Sequence, residues 1–286
     1  MTKMRTLPDR ELINKIKCPQ CGAGVGLSGN GSVSLICYGA RRHCFDISAA
    51  GHVNLLPPSQ SGGGDSKAAV RARRDFLDKD YYLPAAMALA DTLEKYLKRS
   101  DLVVDAGCGE GYYTAIVAER GFDTLGVDIS KFAAEAAAKK AAIRGLSNAF
   151  FTVGSVYELP VFDQSADAVV NIFAPCAEEE FCRALKKGGI LAVVYAGPDH
   201  LMGLKSAIYD KVNENDRRAD MPRNMRLLEE IRISYDITVH GQSDIQNLFS
   251  MTPYYWRTSQ SDSEKLKGLE SLSTAVDMII AVYEKE

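Results

Sequence analysis

The segment that most constrains the fold is residues 102–114, which read LVVDAGCGEGYYT. Its first three residues are leucine and valine, as is typical of a strand buried in a parallel sheet. Asp105 ends this run. Three glycines then alternate, at Gly107, Gly109 and Gly111. Because glycine has no Cβ, such a turn lets a ligand approach the backbone closely. A helix-compatible stretch follows at 112–120, so the segment predicts the first strand–turn–helix unit of a nucleotide-binding sheet.

The spacing of the glycines discriminates between nucleotide ligands. A dinucleotide fold has Gly-x-Gly-x-x-Gly, whereas this chain has Asp-x-Gly-x-Gly-x-Gly, with an acid before the first glycine. This order resembles the first motif of class I S-adenosylmethionine (SAM) methyltransferases. A second predicted strand ends in Asp128, seventeen positions after Gly111, where a carboxylate can accept both hydroxyls of a ribose. The turn and the two acids together favour a SAM site over the alternative, an NAD site.

Strand-like and helix-like stretches alternate through the middle of the chain. After the first two strands, further strands are predicted at 150–153, 168–173 and 190–195. This alternation predicts a parallel sheet with right-handed crossovers. Two late stretches, 235–239 and 275–283, would add an antiparallel edge. The predicted fold class is therefore α/β, a Rossmann-like class I methyltransferase sheet of seven mostly parallel strands.

Ligands on a parallel sheet bind at the carboxyl ends of its strands. The predicted strand ends carry acids, glycines and small polar residues. The candidate cofactor-binding residues there are Asp105, Gly107, Gly109, Glu110, Gly111, Asp128, Ser155, Asn171 and His200. By location alone, Glu110, Asp199 and His200 are also candidates for a proton acceptor; the alternative for each is a cofactor or loop residue.

The N-terminal quarter carries a metal-ligand pattern. Cys18 and Cys21 form a Cys-x-x-Cys pair, and fifteen residues separate Cys21 from Cys37. His43 and Cys44 follow next to each other. This spacing is typical of a structural zinc site, which stabilises a segment too small to build its own core. The alternative is a set of free or redox-active thiols, and the spacing leaves the fourth ligand open between His43 and Cys44.

Charge is distributed unevenly along the chain. Residues 1–75 carry eleven Lys and Arg against five Asp and Glu, whereas the whole chain has a formal net charge of −3. A basic front end on an acidic body predicts contact with a polyanion such as RNA. The candidate RNA-binding residues are Arg41, Arg42, Arg71 and Arg74. The last two share one face of a helix predicted at 67–77; the alternative is a solvated basic face.

Length and composition indicate the location of the protein and its division into domains. It has 286 residues, of which 46% are apolar, and no apolar run is long enough to span a membrane. Seven cysteines without a secretory signal predict a cytoplasmic protein with reduced thiols. The run 59–66 (SQSGGGDS) has the composition of a linker. We predict a zinc-binding RNA-recognition module at 1–58, a linker with helices at 59–100, and a SAM-dependent methyltransferase domain at 101–286.

With these motifs, the chain resembles the RlmA-type large-subunit (23S) rRNA guanine-N1 methyltransferases over nearly its whole length. The matching positions are Cys18, Cys21, Cys37, His43, Phe45-Asp46, 51–56, 72–77, Tyr82, Pro84, 105–114, Ala174-Pro175-Cys176, 197–201, Met251-Thr252-Pro253 and Trp256. The resemblance implies an enzyme that transfers a methyl group from SAM to N1 of one guanine in an rRNA hairpin near the macrolide-binding exit tunnel. It also implies a homodimer whose zinc module holds RNA, and an effect on macrolide susceptibility.

The resemblance further implies a set of cofactor ligands, namely Tyr82, the Gly109-Glu110 turn, Asp128 and His200. One feature departs from the family, which has three residues between the third cysteine and the histidine. Five residues stand between Cys37 and His43 here. We therefore expect His43 to be the fourth zinc ligand, and Cys44 is the alternative.

Three other functions are compatible with parts of the sequence. Cys176 follows a proline after the fourth predicted strand, where cytosine-C5 methyltransferases carry their nucleophile; the alternative is a small buried thiol. A small-molecule methyltransferase of the quinone type would share the alternating core but would not need the cysteine pattern or the basic front end. A zinc binding module without activity would not need an intact SAM turn.

Overall fold

The computed structural model describes residues 8–28, 33–57, 63–212, 215, 222 and 224–286. The first part of the linker predicted at 59–66 lies outside these residues. No helix of the described chain is both long and apolar enough to cross a membrane. The strands form two sheets, a small one near the N-terminus and a large one that makes up most of the structure.

The N-terminal segment forms a helix and an antiparallel sheet of three strands. Its elements are α1 (Arg10–Asn14), β1 (Val25–Leu27), β2 (Ser34–Cys37) and β3 (Cys44–Asp46). Leu12 and Leu35 from this segment lie in the same buried apolar core as Leu125 and Phe150 of the large sheet. A segment this small buries too little apolar surface to be stable alone, so it packs against one face of the large sheet.

The large sheet confirms the predicted α/β class. Its strands are β4 (Val53–Asn54), β5 (Leu102–Ala106), β6 (Asp123–Asp128), β7 (Ala149–Val153), β8 (Ala166–Ile172), β9 (Leu185–Ala196), β10 (Met225–His240) and β11 (Ser271–Lys285). Their order is β10-β11-β9-β8-β5-β6-β7-β4. Neighbours from β9 to β4 are parallel, and β11 is antiparallel to both β9 and β10.

The structure adds one edge strand to the seven that the sequence predicts. Val53 and Asn54 of β4 pair in parallel with Thr152 and Val153 of β7. The N–H of Leu55 donates to the carbonyl of Val153 at 2.9 Å. An exposed edge leaves backbone groups unpaired, and this short segment pairs with them. Because its partner lies far away in the sequence, two residues give no local pattern from which the strand could be predicted.

Helices lie between the strands and cover the sheet. They are α2 (Lys67–Leu77), α3 (Leu83–Glu94), α4 (Tyr112–Glu119), α5 (Lys131–Arg144), α6 (Glu178–Ala184), α7 (Met202–Ile208), α8 (Gln242–Ser250), α9 (Gln260–Glu264) and a 3-10 helix at Pro253–Trp256. The helix predicted at 67–77 is confirmed. Ser66 caps it, because its hydroxyl accepts a hydrogen bond from the Ala69 N–H at 3.2 Å.

The central strand β5 is buried on both faces. Val103 packs into one core with α3 and α4, whereas Leu102 and Val104 face the core that the N-terminal segment shares. This two-sided burial explains the continuous apolar run. The strand order reverses at β5, which lies between β6 and β8. A crevice for a ligand opens at the carboxyl ends of the strands at such a point.

The antiparallel edge is longer than the stretches predicted at 235–239 and 275–283. Strands β10 and β11 pair from Met225↔Lys285 to His240↔Ser271. Along β10, exposed and half-buried residues alternate, because one face contacts helices and the other faces solvent. Charged residues such as Arg226 and Glu230 occupy this edge strand, so its pattern is less apolar than that of the central strands.

Candidate active site

A cavity of about 740 Å³ opens at the carboxyl ends of the central strands. Most of the residues predicted to bind the cofactor line it. They are Tyr82, Asp105, Gly107, Gly109, Glu110, Asp128, Ser155 and His200. The walls come from the ends of β5, β6, β7, β8 and β9 and from α2, and the mouth includes the 3-10 helix at Pro253–Trp256. The cavity is therefore assembled from segments that are far apart in the sequence.

Two of the predicted cofactor residues, Gly111 and Asn171, are not among the residues that line the cavity. Gly111 starts α4 with a φ of +78°, and a Cβ there would lie 2.7 Å from the Cβ of Ala137. Asn171 is buried, and its Nδ2 donates to the carbonyls of Ala106 at 3.0 Å and Pro175 at 3.1 Å. Both residues therefore hold the wall in position from behind.

The glycine turn is closely packed against the loop after β8. Gly107 has a φ of +90°, and a Cβ on it would come within 2.5 Å of the Cβ of Ala174. Its N–H donates to the carbonyl of Val127 at 2.8 Å. A side chain at this position would thus both strain the backbone and collide with the loop after β8. The Gly-x-Gly spacing is required by packing as well as by access to a ligand.

The Asp128 carboxylate is held by backbone groups from two elements. Oδ2 accepts from the N–H of Gly109 at 2.9 Å, and Oδ1 accepts from the N–H of Ser130 at 2.8 Å. Burial raises the pKa of this carboxyl, and the two amide hydrogen bonds act in the opposite direction. Each oxygen keeps a further lone pair. Asp128 can therefore accept two more hydrogen bonds from a ligand in the cavity.

Asp105 offers a second acidic group at the end of β5. Its Oδ2 accepts from the hydroxyl of Thr114 at 2.5 Å, whereas Oδ1 is buried without a hydrogen-bond partner in the described part of the chain. Burial raises the pKa of this carboxyl to about 7. A buried acceptor without a partner is costly unless a ligand supplies a donor, so this wall is suited to a cationic or N–H group.

Glu110 forms a buried ion pair behind the turn. Its carboxylate lies 2.5 Å from the ammonium of Lys140, which also contacts Asp78 at 2.9 Å. Burial raises the pKa of Glu110, and the nearby Lys140 ammonium lowers it. Glu110 and Lys140 are both almost inaccessible to solvent. The charge of Glu110 is engaged by Lys140, which makes Glu110 a poor candidate for a free proton acceptor.

His200 lies in the wall as a neutral imidazole. Its Nδ1 accepts from the N–H of Asp277 at 3.2 Å, so its proton resides on Nε2. Burial lowers the pKa of this imidazole to about 4. The ring stacks on Phe173 with centroids 5.5 Å apart and lies 6.0 Å from the ring of Tyr82.

Asp199, the third candidate for a proton acceptor, is not among the residues that line the cavity. Its carboxylate pairs with Arg232 at 2.7 Å.

Of the arginines of α2, the two that were predicted to bind RNA do not line the cavity. Arg71 and Arg74 both contact Asp75, at 3.4 Å and 2.8 Å. Arg73 is the one that lines the cavity. It shares a helix face with Ala69 and Leu77, four residues away on either side, and both of these also line the cavity. The i, i+4, i+8 pattern was the signal that could have identified Arg73 from the sequence.

Three aromatic residues at the cavity were also absent from the predicted site. Phe173 follows the end of β8 with a φ of +50° and is 50% exposed. Tyr254 and Trp256 lie on the 3-10 helix, and Trp256 is 80% exposed. A bulky residue with positive φ is uncommon and costs free energy. The exposed ring of Phe173 is thus directed into the cavity by a backbone conformation that the sequence does not reveal.

Four of the N-terminal metal-ligand candidates come together in space. The ligand atoms of Cys18, Cys21, Cys37 and His43 all lie within 4.8 Å of one another. Cys18 Sγ is 3.4 Å from Nδ1 of His43, and Cys21 Sγ is 3.3 Å from Cys37 Sγ. Three sulfurs and one imidazole nitrogen are a donor set suited to a tetrahedral metal ion. Cys44, an exposed residue of β3, is not in this group.

The surroundings of the cluster also suit a metal. The N–H of Gly39 donates to Cys37 Sγ at 3.1 Å, and such hydrogen bonds stabilise thiolates. Arg41 and Arg42 are exposed on the turn between β2 and β3, beside the cluster. The cluster thus fixes a basic turn relative to the N-terminal sheet.

Comparisons with known proteins agree with this geometry. Residues 97–250 match the methyltransferase domain family. The chain is 34% identical over 204 residues to the 23S rRNA (guanine(748)-N(1))-methyltransferase of Streptomyces fradiae, covering 70% of this chain and 69% of that protein. It is 32% identical to a protein of Micromonospora griseorubida provisionally named 23S rRNA (guanine-N(1)-)-methyltransferase, covering 95% and 96%.

The chain belongs to the 23S rRNA (guanine-N1)-methyltransferase family. The predicted family is confirmed, and the chain is a methyltransferase. The YcgJ protein of Bacillus subtilis has the same fold, with a TM-score of 0.50 and 16% identity over 71% of this chain and 98% of that one.

Membership of this family bears on the predicted cytosine-C5 alternative. Cys176 is partly buried and packs against the core that the N-terminal segment shares. It is not among the residues that line the cavity, although Ala174 and Pro175 are. A nucleophile must reach its target base. The position of Cys176 therefore fits a packing residue.

The buried Glu110–Lys140 pair gives a prediction about stability. Lys140→Met leaves the Glu110 carboxylate buried without its partner, and we expect the free energy of unfolding to fall by about 3 kcal/mol. Adding Glu110→Gln should recover part of this loss, because the uncompensated charge is removed. Urea unfolding followed by circular dichroism measures the free energy of unfolding of the single and the double variant.

The neighbouring Lys139→Met is the matched control, because Lys139 forms an exposed pair with Glu135. We expect this change to cost less than about 0.5 kcal/mol. Equal losses of unfolding free energy in Lys139→Met and Lys140→Met would show that the buried pair contributes no more than the exposed one.

Proposed function

We propose that this chain transfers the methyl group of SAM to N1 of a guanine in a hairpin of 23S rRNA. The observation that carries the proposal is the combination of a SAM-sized cavity with relatives named as 23S rRNA (guanine-N1)-methyltransferases over most of their length. One of these relatives is named for guanine 748. The basic turn beside the cysteine cluster supports a polyanionic substrate.

The cavity residues fit SAM, which supplies a methyl group activated by its sulfonium. Asp128 would accept the two ribose hydroxyls with the lone pairs that the backbone amides leave. Oδ1 of Asp105, which is buried without a partner in the described chain, would accept from the ammonium of the methionine part. Tyr82, the Gly109-Glu110 turn and His200 would enclose the ligand, and Ser155, which follows β7 and lines the cavity, would contact its nucleoside part.

The target guanine would enter beside the exposed ring of Phe173. A base inside a duplex cannot reach a cavity of this kind, so the nucleotide must be unpaired or flipped out. Aromatic faces stabilise such bases by stacking, and Phe173, Tyr254 and Trp256 supply them at the mouth. Guanine N1 must also release its proton to solvent water before it attacks the methyl carbon. The neutral His200 could donate from Nε2 to the base, which favours the deprotonated form.

The N-terminal segment would supply RNA recognition. Zn²⁺ held by Cys18, Cys21, Cys37 and His43 would stabilise residues 1–58 as an RNA-recognition module, with Arg41 and Arg42 on phosphate. Arg71 and Arg74 lie on α2 beside the cavity and could contact the same RNA. The proposed rRNA substrate supports a cytoplasmic location. We further propose a homodimer, as in the family that the sequence resembles, and an effect on macrolide susceptibility.

The zinc site predicts a metal content of about one Zn²⁺ per chain, measured by elemental analysis of the purified protein. His43→Ala should lose most of the metal, because it removes one of four ligands. Cys44→Ser is the control and should retain it, since Cys44 stands outside the group. Protein without metal, or loss in Cys44→Ser but not in His43→Ala, would overturn this assignment.

The ribose contact predicts that Asp128→Ala weakens SAM binding by more than about ten-fold, since hydrogen bonds to a charged group are worth roughly 1.5–3 kcal/mol each. Calorimetry measures the affinity. Asp123→Asn is the control, because Asp123 stands at the other end of β6 and contacts Lys15 at 2.8 Å. Near-native affinity in Asp128→Ala would place the ribose elsewhere.

The guanine-N1 reaction predicts that Cys176→Ala keeps most methyl transfer to an rRNA hairpin. A thiol that only packs is replaced by alanine at a modest cost, whereas loss of a nucleophile abolishes transfer. The measurement is transfer of a labelled methyl group from SAM, followed by nucleoside analysis of the product. A folded but inactive Cys176→Ala enzyme, or 5-methylcytidine as the product, would reject the guanine-N1 function in favour of cytosine-C5 chemistry.

A further inference from the structure

The charges that line the cavity are unequal in number. Four carboxylates line it, from Asp65, Asp105, Glu110 and Asp128. Among the described lining residues, Arg73 is the one side chain with a permanent positive charge, because His200 is neutral. Lys140 compensates Glu110 from behind the turn, which leaves Asp65, Asp105 and Asp128 against Arg73. The cavity therefore suits a ligand that carries more positive than negative charge. Among the described lining residues, Arg73 is the cationic side chain that a negative group of this ligand can bind.

Arg73 extends over the glycine turn. Its Nη1 lies 3.8 Å from the position that a Cβ on Gly109 would occupy. The side chain is 27% exposed, so it is mostly covered and yet reachable from the cavity. Asp65 accepts a hydrogen bond from the same Nη1. A guanidinium has five N–H donors in a fixed planar arrangement, and contact with one nitrogen leaves the others for a ligand.

A chain of contacts holds Arg73 at a fixed place relative to Asp128. Asp65 binds Arg73 with its side chain, and its backbone carbonyl accepts from the hydroxyl of Ser130 at 2.7 Å. The N–H of Ser130 donates to Asp128 Oδ1. The guanidinium and the carboxylate at the end of β6 are thus tied to one another through two residues. Such a link sets the spacing between the two ends of a bound ligand.

SAM matches this arrangement of charges. It carries two positive groups, the sulfonium and the ammonium, and one negative group, the carboxylate. We propose that Arg73 binds the carboxylate of SAM through the guanidinium N–H groups that Asp65 leaves free. This inference rests on the proposed use of SAM. A buried carboxylate needs such a partner, since an unpaired charge in a closed site is strongly unfavourable, and arginine matches a carboxylate in geometry.

The neighbouring arginines supply matched controls. Arg71 and Arg74 lie on the same helix, carry the same charge and bind Asp75, but neither lines the cavity. Removing either one changes the net charge of the protein as much as removing Arg73 does. An effect specific to Arg73 therefore reports a local contact and not the overall electrostatic field.

The test compares two ligands by calorimetry, SAM and decarboxylated SAM, which lacks the carboxylate and keeps both positive groups. We expect Arg73→Ala to weaken SAM binding about ten-fold or more. The same variant should bind decarboxylated SAM as well as the wild type or more tightly, because a repelling cation is gone. Arg73→Lys should lose less SAM affinity than Arg73→Ala, since it keeps the charge but not the fork. Arg71→Ala and Arg74→Ala should bind both ligands within about two-fold of the wild type.

The outcomes distinguish the role of Arg73 from the proposed use of SAM. Equal weakening of both ligands by Arg73→Ala, or no weakening of either, overturns the assignment of Arg73 to the carboxylate. Wild-type protein that binds neither ligand contradicts the proposed use of SAM instead. Should Arg73→Ala fail to fold, Arg73→Lys and Arg73→Met decide the same comparison, judged by whether SAM alone loses affinity.

Discussion

Two backbone N–H groups hold the Asp128 carboxylate, and the geometry of the cavity depends on them. One comes from Gly109 in the turn after β5, and the other from Ser130 at the start of α5. These bonds join the glycine turn, the end of β6 and α5 at one point. Through Ser130 and Asp65 the same network reaches Arg73 on α2. The residues that would contact the two ends of a nucleoside ligand are therefore positioned together, by groups that belong to different elements.

Burial makes the carboxyl groups of the cavity harder to ionise. Burial raises the pKa of Asp105, Glu110 and Asp128, because a charged carboxylate is poorly solvated there. Glu110 is compensated inside the protein by Lys140. Asp105 keeps one oxygen without a partner in the described chain. A ligand with an ammonium and a sulfonium would supply the missing positive charge, which explains why this fold can hold several acids in a closed space.

The central α/β unit could be predicted from the sequence because its information is local. A buried strand, a glycine turn and a largely apolar helix are encoded in consecutive residues, and α2 occurs where its pattern predicts. Strand β4 could not be predicted, because its pairing with β7 is long-range. The pattern at 67–77 also identified the helix but not the face that meets the cavity, so Arg73 was missed. The expectation that Arg71 and Arg74 bind RNA stays a prediction. The exposure of Phe173 depends on its positive φ, which leaves no signal in the sequence.

The central claim is that this enzyme modifies N1 of a guanine in 23S rRNA, and mapping of rRNA from cells tests it most directly. A methyl group on N1 blocks Watson–Crick pairing, so reverse transcription stops at the modified nucleotide. We predict that deleting the gene removes one such stop at a guanine of a 23S rRNA hairpin. The wild-type gene should restore it, and the Asp128→Ala gene should not. An unchanged pattern of stops in the deleted strain, or the loss of 5-methylcytidine in place of 1-methylguanosine, would contradict the account.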